Sequence, residues 1–206
     1  MKDACRLTPL GVMVLALLRE GDMHPYEMIR LMRQRHGDRL VPVTNGTMYH
    51  TVARLARAGL LAEVGTDRDG NRPERTTYSL TVDGRDAVAD WVRRELVRID
   101  RPAEFRVALA EAHNLDRHEV VQLLTARQAT LTAEHTMHRE GLRASRQREV
   151  PEQYLIEIDR QAALLDAELR WTAAFLTRLD NTTIAWGPPN HSVPASGPAH
   201  REAPQP

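Results

Sequence analysis

The chain has 206 residues, 42% of them hydrophobic, with 28 Lys+Arg against 28 Asp+Glu and a formal net charge of zero. That length fits one ordinary domain or a small one with an appendage, and the composition permits a buried core and excludes global disorder and a wholesale polycation. Aromatics at 4% argue against a sandwich or barrel, and a single cysteine, Cys5, excludes a disulfide framework or a Cys-rich zinc module and fits a reducing cytosol.

Lys2 and Arg6 precede an apolar run from Leu7 to Leu18 that has the look of a signal-peptide core. The run is too short to span a bilayer, and Arg19, Glu20, Gly21 and Asp22 follow it instead of a small-residue cleavage site. Thr8 before Pro9 reads as an N-cap with proline at the first helical position, so the run is predicted to be a buried first helix closed by Gly21. No other stretch is apolar enough for a membrane.

A second helix is predicted from Pro25, with Tyr26, Met28, Ile29, Leu31 and Met32 at helical spacing and Gly37 at its end. His24 is placed to cap it. A third starts at Thr44, repeats Met48, Val52 and Leu55 at i, i+4, i+7, and stops at Gly59. The period then changes. Leu60 to Val64 is short and apolar, the polar run Asp67 to Pro73 contains the Asp69-Gly70 hairpin signal, and Thr76 to Leu80 is rich in Thr and Tyr, as a returning strand is. Thr81 caps a fourth helix carrying Ala87, Val88, Trp91, Val92 and Leu96. Three helices, a hairpin and a helix make a winged helix-turn-helix over residues 1–98.

Residues 99–181 show helical patterns only. A short helix is expected over Ala103 to Ala112 and a long one over Arg117 to Arg146, broken at Val150-Pro151. From Glu152 to Leu179 a heptad seam appears: Leu155, Ile158, Ala162, Leu165, Leu169, Thr172, Leu176 and Leu179. Leu164, Trp171 and Phe175 form a second stripe, so this helix needs two partners. The preceding helix is one; a second copy of the chain is the other, which makes residues 99–181 a helical dimerisation region. The tail 182–206 holds six of the twelve prolines and is expected to be disordered. The fold class is thus mainly α with a small β-hairpin wing.

The outward face of the third helix is predicted to carry Asn45, Thr47, His50, Thr51, Arg54 and Arg57, with Thr44 at its start. Amide, hydroxyl and guanidinium groups are those that bond base edges and phosphates in a major groove. Arg68, Arg72 and Arg75 place charge on the hairpin, as suits a wing lying along double-stranded DNA. Between Arg30 and Arg75 nine arginines face five acids, a local excess of four that the rest of the chain offsets. A basic reading unit on a neutral chain is what a dimeric DNA binder needs.

Leu7 to Leu96 resembles the PadR family of bacterial transcriptional regulators. The resemblance rests on Leu7 to Leu18, Gly21 to Glu27, Val43 to Tyr49, Leu55 with Ala58 to Leu61, Arg72-Pro73, Tyr78 to Thr81 and Gly84, in that order and spacing. It implies a cytoplasmic homodimer repressing a nearby promoter, with Tyr49 holding the DNA backbone and Arg72 and Arg75 in the wing contacts. The position of Asn45 is often proline in such proteins. The resemblance also implies release of DNA by a small compound, often aromatic or amphipathic; the wall residues expected for its pocket are Trp91, Trp171 and Phe175.

Two other readings compete. His135 and His138 lie three apart on a predicted helix with Glu134 beside them, a spacing that can hold a metal in a winged-helix sensor; the favoured reading has no metal and no cofactor. The second half alone would suit a helical adaptor, against which the basic wing argues. A catalytic role finds no support: there is no nucleophile elbow, no P-loop and no dinucleotide fingerprint.

Overall fold

A computed structural model describes residues 7–67, 75–181 and 183–187; of the side chains of Thr66, Asp67 and Arg75 nothing is said. The first helix, α1 (Pro9–Leu17), is almost wholly buried. Thr8 caps it by accepting a hydrogen bond from Gly11 N at 3.2 Å. Its apolar sides pack on α3 (Asn45–Arg57), α4 (Val82–Val97) and α5 (Pro102–Ala110), and the apolar face of α2 (Pro25–Gln34) joins the same core, so the run that resembles a signal core is the centre of the winged unit. No helix among the described residues is long and apolar enough to cross a membrane.

His24 Nδ1 accepts from Tyr26 N at 3.1 Å and Pro25 opens α2, as the sequence predicts. A short 3-10 turn, Gly37–Arg39, follows. Gly59, at φ +74°, closes α3: Gly59 N bonds Ala56 O and Leu60 N bonds Leu55 O, the paired bonds of a Schellman ending. β1 (Leu61–Asp67) pairs antiparallel with β2 (Arg75–Leu80), with a bulge between Glu63 and Gly65. Met23 adds an isolated bridge on the free side of Tyr78, so the loop before α2 is stitched to the hairpin. A period-2 pattern could not reveal a single paired residue.

Thr81 caps α4 through Gly84 N at 3.0 Å. Gly84 is there because nothing larger fits: a Cβ would stand 2.0 Å from Leu60 O and 2.7 Å from Leu80 Cδ1. This glycine lets α4 descend directly against the start of the hairpin.

Beyond α4 the chain is helical: α5 (Pro102–Ala110), α6 (Arg117–Gln147) and α7 (Ile156–Asp180). α6 and α7 run against each other along most of α7. Every heptad position named above is buried or half-buried, with Leu155, Ala162, Leu165, Thr172 and Leu179 buried. Of the second stripe, Leu164 and Trp171 are 48% and 42% exposed and lie outside this packing, while Phe175 is half-buried against the core. Within the stretch assigned to the tail, residues 183–187 are described and lie on the body: Trp186 Nε1 donates to Leu115 O at 2.9 Å, and Arg117 donates to Ile184 O at 2.9 Å. Residues 188–206 fall outside the described residues.

Candidate nucleic-acid interface

The start of α3 is held by a reciprocal capping box. Thr47 N donates to Thr44 Oγ1 at 3.1 Å and Thr44 N donates to Thr47 Oγ1 at 2.9 Å. Two helix-end donors are thereby satisfied by side chains rather than by water. The arrangement leaves Asn45, Thr47, Tyr49 and His50 exposed on one end of the helix, while Met48, Val52 and Leu55 point into the core. Thr44→Ala is expected to cost about 1 kcal/mol, seen as a melting temperature roughly 2–4 °C lower for a chain of this length.

Two of the predicted outward residues are placed differently. Thr51 is buried, only 7% exposed, because it lies three residues after Met48 and shares the flank of the apolar stripe. It is not on the outer face. Arg54 is turned back along α3 and donates to Thr8 Oγ1 at 3.1 Å, tying the middle of α3 to the cap of α1. Arg57 bonds its own helix through Ala53 O at 3.3 Å. Arg68 and Arg72 lie outside the described residues, as does the side chain of Arg75, whose backbone starts β2.

Tyr49 is 47% exposed and its ring meets that of His24 edge-on, centroids 6.1 Å apart. Behind it, burial and then the facing Glu63 carboxylate push the Tyr78 hydroxyl above its ordinary value, so Tyr78 stays a neutral donor. The cap of α2, the exposed ring of α3 and strand β2 thus converge on Tyr49. Sequence spacing gave no sign of this contact, since the three residues come from separate elements.

The three aromatic wall candidates fall in two places. Trp91 is buried at 2% exposure and lines a groove of about 690 Å³ with Leu7, Pro9, Arg98 and Arg101. Glu95, one helical turn on, is also in that wall; it pairs with Arg94 at 3.0 Å and, among the described residues, its Oε2 has no hydrogen-bond partner. Trp171 stacks instead on Phe175 along α7, centroids 5.1 Å apart, Trp171 exposed and Phe175 half-buried against the core. His135 and His138 do not gather ligands: His138 Nδ1 lies 2.8 Å from Glu134 O, and among the described residues no group of three or more His, Cys, Asp or Glu could share an ion.

Residues 14–90 match the transcriptional regulator PadR-like family. No curated protein matches the chain. Among solved structures, Bacillus subtilis PadR in complex with operator DNA is similar at 19% identity, covering 83% of this chain and 99% of that one, with a TM-score of 0.38. The same protein in complex with p-coumaric acid is similar at 18% identity, with 84% and 99% covered and a TM-score of 0.34. A PadR-like transcriptional regulator from Bacillus cereus is similar at 16% identity, with 85% and 99% covered and a TM-score of 0.36. The match spans α1 from Val14 through the hairpin to Asp90 in α4, the same helices and strands that build the capped face around Tyr49, and residues 14–90 are a PadR-like transcriptional regulator family domain.

Proposed function

We propose that the protein is a homodimeric repressor that binds double-stranded DNA at a nearby promoter and leaves it when a small molecule binds. The observation that carries the reading is the exposed, capped end of α3, with Asn45, Thr47, Tyr49 and His50 beside the hairpin of a PadR-like domain. In this reading Thr47 and His50 address base edges, Tyr49 and the backbone around Thr44 hold phosphates, and Arg68, Arg72 and Arg75 carry the wing. Arg54 and Thr51 are assigned to positioning α3 rather than to DNA. Residues 1–98 are the reading unit, 99–181 the dimerisation region and 182–206 an appended tail.

Dimerisation is supported by Leu164 and Trp171, exposed at i and i+7 on α7, with Trp171 stacked on the half-buried Phe175 at i+11. Burying a large apolar side chain is worth roughly 1.5–3 kcal/mol, and the stripe presents two that are exposed. Trp171→Glu is expected to sediment as a monomer with unchanged helix content; a stable dimer of that variant would remove the stripe from the interface. The effector of this reading lies in the Trp91 groove or beside Trp171 and Phe175. The B. subtilis relative is known in a complex with p-coumaric acid, which makes aromatic acids the first compounds to try.

A gel shift with the chain's own upstream DNA at rising salt tests the function. Arg72→Ala and Arg75→Ala should each weaken binding to all sequences and lower the salt slope by about one, whereas changes at Thr47 or His50 should alter preference among sites. No shift with that DNA at low salt, or a slope unmoved by both arginine changes, would count against the reading or against the wing respectively.

A further inference from the structure

A second cavity lies on the opposite side of α1 from the reading face. It has a volume of about 470 Å³, within the range of small-molecule sites, and opens between α1, the end of α2 with its 3-10 turn, and the α5 end. Its floor is apolar and contains no aromatic side chain: Met13 and Leu17 come from α1, Met32 from α2 and Leu40 from the residue after the turn. Unbranched thioether chains adapt to fill irregular apolar space and can mould to a guest's tail. The rim is polar. Arg35 is spent on Glu20, which it grips with two bonds of 2.5 and 2.7 Å. Arg19 and Arg85 also stand on the rim, and among the described residues neither has an ion-pair partner. Glu111 completes it, with Asn114 Nδ2 donating to Oε2 at 3.0 Å.

We propose that this cavity binds a medium-chain aliphatic carboxylate, its head group held by Arg19 and Arg85 beside the Glu111 carboxyl and its tail laid over Met13, Leu17, Met32 and Leu40. The sign of the charge follows from the rim: two unpaired guanidiniums, one neutral ion pair and one carboxyl leave an excess that attracts an anion. The tail follows from the floor. The third element is Glu111 itself. Burial, offset by the Asn114 bond, and the nearby Glu20 carboxylate hold it up at about 7 against the pull of Arg19 and Arg35. Arg85 and His113 also line its cavity; His113 Nδ1 is 3.1 Å from Ala110 O. A protonated Glu111 donates to a bound carboxylate; an ionised one repels it. Binding therefore takes the protonated form, and affinity falls as pH rises through about 7. The site is separate from the Trp91 groove, and carboxylate binding here does not depend on the DNA-binding reading.

Titration calorimetry of the full chain with sodium decanoate below its micelle concentration tests the site. One decanoate per chain is expected, with Kd about tenfold weaker at pH 8 than at pH 6. Glu111→Gln keeps a neutral donor in place and should hold the pH 6 affinity at pH 8. Ala110→Trp, at an exposed position on the cavity mouth, should block the tail and weaken binding at least tenfold, as should Arg19→Ala with Arg85→Ala. Decyltrimethylammonium, with the same tail and opposite charge, should not compete. Thermal melting of each variant separates lost binding from lost fold. The proposal is overturned by no binding at pH 6, by equal binding to a folded Ala110→Trp variant, by a pH slope that survives Glu111→Gln, or by equal affinity for the cation.

Discussion

Arg127→Ala is expected to destabilise the protein by about 3–5 kcal/mol, the range for emptying a large buried side chain, while Arg127→Met, which keeps the space filled, costs less, about 1.5 kcal/mol. Arg127 is 3% exposed on α6 and holds four elements together. Its guanidinium lies 3.5 Å from the centre of the Phe105 ring on α5, donates to the Arg98 carbonyl after α4, and pairs with Glu168 on α7 at 3.0 Å. Among the described residues its Nε has no hydrogen-bond partner, and burial lowers its pKa. Alanine would remove all of these at once and leave a hole, whereas the Glu168 carboxylate, left without its cation in either variant, is 34% exposed and can turn to water. Methionine fills the space without a charge to desolvate. In melting temperature the contrast is roughly 6–20 °C against a few degrees. Thermal unfolding of both variants checks it; equal losses would mean that the cation, not the packing, is what the joint needs. The joint matters for function as well. Arg98 directly follows α4, and Phe105, Arg127 and Glu168 belong to later helices, so loosening this contact should uncouple the hairpin-bearing half from the helices after it before either melts.

The second large effect is a dependence of stability on pH carried by Glu111. Its ordinary value is 4.5 and the fold raises it to about 7, chiefly by burial. Below pH 4.5 both folded and unfolded chains hold the proton, and the group costs nothing. Between pH 4.5 and 7 the unfolded chain has released it and the folded chain has not, so the native state binds more protons and loses stability as pH rises. Above pH 7 the loss is complete, on the order of 3 kcal/mol at roughly 1.4 kcal/mol per pKa unit. Glu111→Gln removes this dependence. At pH 8 the variant should melt above the parent by roughly 6–12 °C, and at pH 4 the two should nearly coincide. Parallel pH profiles for the two proteins would show that Glu111 ionises as an ordinary surface glutamate does.

Much of the architecture was legible in the order of residues. Thr8-Pro9, His24-Pro25, Thr44 and Thr81 mark helix starts because the chemistry of a cap is local: one side-chain oxygen or nitrogen, two or three residues from the N–H it receives. Gly59 marks a stop for the same reason. The heptad of α7 foretold which side meets α6, since a period of 3.5 selects one stripe whatever the partner is. The exposed end of α3 could also be read ahead, up to the width of the apolar stripe; Thr51 fell on the wrong side of that edge because 100° per residue leaves an i+3 neighbour half turned inward. What only the tertiary structure decided are the meetings of elements distant in sequence: Arg54 returning to Thr8, His24 against Tyr49, Met23 bridged to Tyr78, Arg127 joining Phe105 to Glu168, and Glu111 half-buried beside Glu20 and Arg19. Such contacts join long or isolated side chains whose spacing has no period, and burial, which sets the charge of Glu111 and the reach of Arg127, is a property of everything packed around them rather than of the residues themselves.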